Sequence, residues 1–222
     1  MIGHDHLAGL GHLEAILHEA GYLLTWFTVV PAERFSTPAL AVTFPEASQW
    51  DLIVILGAPW PADQITAWTS TEAAFLRSAH DQHVPVLGIC FGAQLLAEAL
   101  GGGSERMRAH RLGWQDVTPA DPFQLPTGPW FHWHTDRLVP PTEAEELATS
   151  EGGVEVFRVG TSVGVQFHPE MTPRLLEAWL QLPGSVDAVG DPRKLAKLRR
   201  DTVLNEPASA SAARRLMVEL LP

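Results

Sequence analysis

The stretch from Val84 to Gly103 constrains the fold more than any other part of the chain. An apolar run rich in β-branched residues, Val84-Pro85-Val86-Leu87-Gly88-Ile89, ends at Cys90. Past Gly92, apolar residues continue at helical spacing (Leu95, Leu96, Ala99, Leu100) until Gly101-Gly102-Gly103 stops the pattern. This predicts a buried strand, a tight turn carrying Cys90, and a helix. Such a junction pushes the cysteine out of the sheet. Its sulfur then lies beside a helix N-terminus, where free N–H groups and the macrodipole favour thiolate over thiol. Gly88 and Gly92 are the small flanking residues that a sharp strand-to-helix turn needs. Taken alone, the same pattern also suits a small buried apolar cysteine.

The rest of the chain alternates in the same way. A very short strand at 1–3 precedes a helix over 10–19 that Gly21 ends, and a second strand over 23–30 closes at Pro31. Residues 50–56 form a largely apolar central strand stopping at Gly57-Ala58-Pro59, and a helix over 70–80 leads into the strand at 84–89. Apolar strands alternating with amphipathic helices imply a three-layer α/β fold, its central sheet mostly parallel and covered by helices on both faces. Sites in such sheets lie beyond the carboxyl ends of the strands. Gly57, Cys90 and His168 each follow a predicted strand end.

After the triple glycine, turn signals in the acidic, proline-rich stretch over 114–141 suggest a small antiparallel edge of short strands. Residues 154–159 and 163–165 read as a hairpin delivering His168. Beyond Leu182, Pro183-Gly184 and Gly190-Asp191-Pro192 punctuate a tail expected to form two amphipathic helices, over 193–204 and 209–221. The expected organisation is one domain over 1–182 and a helical extension over 183–222 packed on it.

Composition excludes several classes. A net charge of -11 argues against a general nucleic-acid or anionic-membrane binder. One cysteine excludes an intrachain disulfide and fits a reducing compartment. The start, Met1-Ile2-Gly3-His4-Asp5-His6, has neither a basic nor an apolar leader segment, and no run reaches transmembrane length. The expected location is cytoplasmic, with no nucleic-acid or membrane partner.

Two further segments favour chemistry at Cys90. Gly164-Val165-Gln166-Phe167-His168-Pro169-Glu170 ends a short apolar strand in a histidine and a carboxylate, with proline fixing the backbone between them. A nucleophilic cysteine needs a general base within hydrogen-bond reach, and that base needs a third group to orient it. Trp130-Phe131-His132-Trp133-His134-Thr135-Asp136 lies between these elements in the chain. On Gly88-Ile89-Cys90-Phe91-Gly92-Ala93-Gln94, matching G-x-C-x-G-x-Q, and on Gln166-Phe167-His168-Pro169-Glu170, the sequence resembles the class I (triad-type) glutamine amidotransferases. The Trp133-His134-Thr135-Asp136 segment is similar to the family's H-G-D element, with threonine in place of glycine.

The resemblance implies a flavodoxin-like glutaminase domain that releases ammonia and glutamate from glutamine through a Cys90 γ-glutamyl thioester. It implies Cys90, His168 and Glu170 as the catalytic triad. The backbone N–H groups of Phe91 and of the Gly57-Ala58 turn are the implied oxyanion donors, and Gln94, Trp133 and His134 the substrate-binding residues. Asp136 is expected to fix a turn. Relatives usually carry Gly-Gly-Pro where this chain has Gly57-Ala58-Pro59, so the Ala58 methyl is expected to narrow the pocket or forbid a positive φ.

His4, Asp5 and His6, with His132 and His134, lack a cysteine or carboxylate cluster at metal-ligand spacing. No metal and no cofactor is expected, and His4 and His6 are placed at the site's entrance. The basic run Arg193-Lys194-Leu195-Ala196-Lys197-Leu198-Arg199-Arg200 reads as a solvated helix face docked through its leucines. Three functions stay open: a glutaminase supplying a separate synthase subunit, an autonomous hydrolase or transferase of γ-glutamyl peptides or amides, and a non-catalytic binding module on the same scaffold.

Overall fold

Runs such as Ile53-Val54-Ile55 and Val86-Leu87-Gly88-Ile89 have no polar face and must be covered on both sides. In the computed structural model, which describes residues 1–121 and 125–221, they lie at the centre of a 10-stranded sheet. Residues 122–124, within the proline-rich stretch, lie outside the described residues. In chain order the strands are β1 (Ile2–Gly3), β2 (Phe27–Thr28), β3 (Ile53–Ile55), β4 (Val86–Ile89), β5 (Gly103–Gln115), β6 (Thr118–Pro119), β7 (Trp130–Val139), β8 (Glu145–Ser150), β9 (Gly153–Val159) and β10 (Ser162–Val165). The main order is β2-β1-β3-β4-β10-β9-β7-β5, with β8 joined to β9 and β6 to β8. Pairing is parallel from β2 through β10 and antiparallel beyond it.

The helices are α1 (His12–Glu19), α2 (Thr66–Asp81), α3 (Phe91–Ala99), α4 (Pro173–Trp179), α5 (Ser185–Val189) and α6 (Pro192–Leu220). Side chains alternate across the sheet with period two. Val54, Leu87 and Ile89 face Leu13 and Leu17 of α1 and Leu216 and Met217 of α6. Ile53, Ile55 and Val86 face Trp68 and Leu76 of α2 and Leu95 and Leu96 of α3. The fold is therefore the expected three-layer α/β sandwich. A third apolar cluster joins Phe131 and Met171 to Leu175 and Leu176 of α4, Val189 of α5 and Leu198 of α6.

Three expectations change. The second strand shrinks from 23–30 to Phe27–Thr28, because this edge pairs only with β1 and Leu23 is 95% exposed. The antiparallel edge is built of long strands, β5 with 13 residues and β7 with 10, and it begins at Gly103. The two predicted tail helices are one helix of 29 residues running through Pro207. Its buried residues Leu198, Thr202, Ser209, Ala213, Leu216 and Leu220 keep one stripe across the proline, so packing outweighs the lost backbone hydrogen bond.

Candidate active site

Cys90 sits between β4 and α3 with φ 54 and ψ -111, a conformation rare outside glycine. Holding it costs roughly 1–3 kcal/mol, which the surrounding packing must supply. Its N–H donates to the Val165 carbonyl at 2.8 Å, and its own carbonyl accepts the N–H groups of Ala93 and Gln94. The flanking glycines are obligatory for space. A Cβ on Gly88 would lie 2.6 Å from the Gly92 carbonyl oxygen, and one on Gly92 would lie 2.4 Å from that of Ile55. The side chain thus stands at the N-terminus of α3, beyond the sheet's carboxyl edge.

His168 leaves β10 three residues past its end and is pinned by its N–H to the Phe131 carbonyl of β7 at 2.8 Å. Its side chain is close enough to Cys90 to interact with it electrostatically, and Nδ1 is 2.7 Å from Glu170 Oε1. All three groups are buried. Burial alone would lower the His168 pKa, but the charges of Glu170 and Cys90 outweigh it and raise it from 6.5 to about 10. The Glu170 carbonyl in turn accepts the His12 N–H at the start of α1. Thr172 caps α4 by accepting from Leu175, with Pro173 fixing the first turn.

These groups open into one cavity of about 720 Å³. Gly57, Ala58, Phe91, Gln94, Trp133, His134 and Asp136 line it with Cys90, His168 and Glu170. The predicted triad, oxyanion and substrate-binding residues are therefore brought to the same hollow. Ala58 has no positive φ, so its methyl is carried without backbone strain. Gln94 is turned inward, its Nε2 donating to the Asp136 carbonyl at 3.0 Å and to Gln166 Oε1 at 3.1 Å. That ties α3 to β7 and uses both amide hydrogens. Asp136 lies on strand β7, not in a turn, opposite Arg106 at 3.0 Å. The strand bonding of β7 to β5 is why the turn expected there is absent.

Behind the cavity wall, His134 Nδ1 donates to the Asp136 carbonyl at 2.9 Å, and its Nε2 is 3.2 Å from His132 Nδ1. Burial lowers the His134 pKa to about 4, with His168 and Arg111 adding to it. Burial, Arg111, His134 and His168 lower that of His132 to about 2. Both rings are neutral near pH 7, so the 3.9 Å approach of His132 to Glu155 is not an ion pair. Glu155 instead pairs with Arg111 and accepts from Ser150.

Sequence reading names Trp60 as a place where a wider pocket would show, but misses Trp179 and Arg106. Trp179 of α4 stands edge-on to His168 at 4.8 Å, and Trp60 and Arg106 also line the cavity. His4 is wholly buried rather than at the entrance, because the turn after β1 folds it under α2. His6, one residue beyond Asp5, is exposed and stays outside. No group of three or more His, Cys, Asp or Glu side chains is placed to hold a metal among the described residues. No helix among them is long and apolar enough to cross a membrane.

The sequence model of the family described as "Glutamine amidotransferase class-I" matches residues 8–180. The chain is 27% identical over 197 residues to the glutamine amidotransferase-like protein YfeJ of Salmonella typhimurium, covering 80% of this chain and 77% of that one. It is 32% identical over 172 residues to the glutamine-hydrolysing GMP synthase of Aeropyrum pernix, covering 71% of this chain but 31% of the synthase. In fold it is similar to a glutamine amidotransferase from Thermotoga maritima, with TM-score 0.79, 24% identity, and coverage of 99% of this chain and 95% of that one.

Proposed function

Since the chain belongs to the class I glutamine amidotransferase family, we propose that it hydrolyses the side-chain amide of glutamine at Cys90. The observation that carries this reading is the buried relay Cys90–His168–Glu170, with its 2.7 Å carboxylate contact, opening into the 720 Å³ cavity. The Cys90 thiolate attacks the amide carbon and a tetrahedral oxyanion forms. Collapse breaks the C–N bond as His168 gives its proton to the leaving nitrogen. Water, deprotonated by His168, then attacks the γ-glutamyl thioester and releases glutamate. Glu170 holds the His168 ring and stabilises its imidazolium form. The N–H groups of Phe91 and Ala58 stabilise the oxyanion, a contribution worth roughly 10²–10³ in rate for each donor in comparable sites. Trp133 and His134 wall the glutamine pocket, and Gln94 acts by holding the 94–136 contact rather than by touching substrate.

The ammonia released would feed a separate synthase subunit. That expectation draws on the glutamine-hydrolysing GMP synthase, of which the chain spans about a third. A second reading has its own support. The cavity lies in the roughly 300–1,000 Å³ range that takes drug-sized ligands, and Trp60, Trp133 and Trp179 rim it. A γ-glutamyl peptide or amide with a larger leaving group would fit there.

The test is ammonia release from L-glutamine by the purified chain and by Cys90→Ala, beside a panel of γ-glutamyl peptides. Turnover that vanishes in the variant supports hydrolysis at Cys90, and preference for the peptides supports the second reading. Equal turnover by the wild type and Cys90→Ala would end both.

A further inference from the structure

The triad leaves unassigned a buried charged pair on the far side of the Gly57-Ala58 turn. His4 directly follows β1, and both His4 and Glu72 of α2 have 0% exposure. His4 Nδ1 is 2.9 Å from the Gly57 carbonyl oxygen, and Nε2 is 3.2 and 3.1 Å from the two Glu72 carboxylate oxygens. A carbonyl only accepts, so Nδ1 carries a hydrogen. Nε2 then faces a carboxylate, so a further proton is held between ring and acid, and both contacts are hydrogen bonds. Burying such a pair stabilises a core little compared with apolar residues of the same volume. Core packing is therefore a poor reason for it.

The pair's contacts supply a better one. The peptide joining Gly57 to Ala58 is trans and planar, so the Ala58 N–H points away from the carbonyl that His4 holds. Gly57 and Ala58 both line the Cys90 cavity, and a Cβ on Gly57 would lie 3.3 Å from His168 Cε1 and 3.8 Å from Cys90 Cβ. The same imidazole stands edge-on to the Phe91 ring at 5.1 Å and stacks on Trp68 at 5.1 Å and 14°. One side chain thus touches the carbonyl of the peptide that carries the Ala58 N–H and the ring of Phe91, whose own N–H is the other donor.

We propose that His4, held by Glu72, is the positioning residue of the oxyanion hole. It fixes the Gly57-Ala58 peptide through its carbonyl and braces Phe91 through its ring, keeping both N–H groups aimed at the substrate's carbonyl oxygen. A hydrogen bond on the carbonyl side of an amide also polarises it and strengthens its N–H as a donor. Burial disfavours a charged His4, but Glu72 outweighs it and the pKa is raised. This inference rests on the reading of Cys90 as the acylating nucleophile.

The test separates acylation from nucleophile reactivity. Iodoacetamide alkylates a thiolate by displacement at a methylene, with no oxyanion, whereas glutamine hydrolysis needs one. In the His4→Phe/Glu72→Leu double variant, which leaves an apolar pair, kcat for glutamine is expected to fall roughly 10²-fold. KM and the Cys90 alkylation rate should each stay within about threefold, since neither depends on the oxyanion donors. His4→Asn keeps a donor near the Nδ1 position and should recover most of the lost rate. Should the double variant fail to fold, Glu72→Gln carries the same comparison, with kcat expected to fall and alkylation to hold. Unchanged kcat, or alkylation falling in step with kcat, overturns the proposal. Glutamine turnover that survives in Cys90→Ala, or a wild type that neither hydrolyses glutamine nor is alkylated at Cys90, overturns the nucleophile reading instead, and this inference with it.

Discussion

A side-chain carbon on Gly11 would lie 1.7 Å from the carbonyl oxygen of Glu170. The same residue has φ 45, and the next, His12, donates its N–H to that oxygen at 3.1 Å. The start of α1 is therefore locked onto the segment carrying the triad carboxylate. Gly11→Ala should destabilise the fold by about 2–4 kcal/mol, adding a left-handed backbone cost to overpacking. Urea unfolding measures the first effect, and the kcat for glutamine at a temperature where the variant is folded measures the second. A loss of kcat is expected because Glu170 must shift. A variant as stable and active as the wild type would show that the contact is slack.

The raised pKa of His168 has two pH consequences. A folded-state value near 10 against 6.5 unfolded means the folded chain holds the extra proton more tightly. Its stabilising contribution is complete below pH 6.5 and is lost as pH rises toward 10. In catalysis the protonated ring supplies the leaving-group proton, so the alkaline limb of kcat/KM should report His168. Glu170→Gln removes the charge that sustains the shift, and the limb should move to lower pH. A pH–rate profile with an unmoved alkaline limb would detach Glu170 from this role.

His134 shifts in the opposite sense. Its folded value of about 4 lies below 6.5, so the unfolded chain binds more protons between these limits and stability falls as pH drops through them. His134→Asn keeps a donor for the Asp136 carbonyl but cannot titrate. The difference in unfolding free energy between wild type and variant should change by a few kcal/mol between pH 7 and 4.5, with the wild type losing more. Glu155, which burial raises, titrates in the other direction in both proteins and cancels in the difference. Parallel stability curves would sink the assignment.

The elements that could be read from sequence are those whose signal is local. The Cys90 junction announces itself because an apolar run, two glycines and a helical repeat are contiguous. His168 and Glu170 are legible because one strand end presents both. The burial of His4 is not legible because its partner Glu72 is 68 residues away, and nothing near either residue marks the pairing. Residues 104–110 of β5 are largely exposed, so they lack the apolar alternation that would reveal a strand. Asp136 reads as a turn residue for the same reason: its strand partner, Arg106, is distant in sequence.

Pro207 makes the tail read as two helices although it forms one, and the cause is testable. Proline in a helix interior costs about 3 kcal/mol relative to alanine, and two helices were the economical interpretation. The helix nevertheless continues, because buried residues on either side, Thr202 and Ser209, keep their places on one stripe. Pro207 itself is exposed, so water can satisfy the Val203 carbonyl that lacks an N–H partner. Pro207→Ala restores that hydrogen bond but frees the unfolded chain, which returns roughly 0.4–1 kcal/mol of the gain. A net stabilisation of about 2–2.6 kcal/mol is expected by urea unfolding. Glutamine turnover should not change, because among the described residues none of α6 lines the Cys90 cavity. A destabilised variant would mean instead that the backbone course set by Pro207 is what seats Leu198 in one apolar cluster and Leu216 in another.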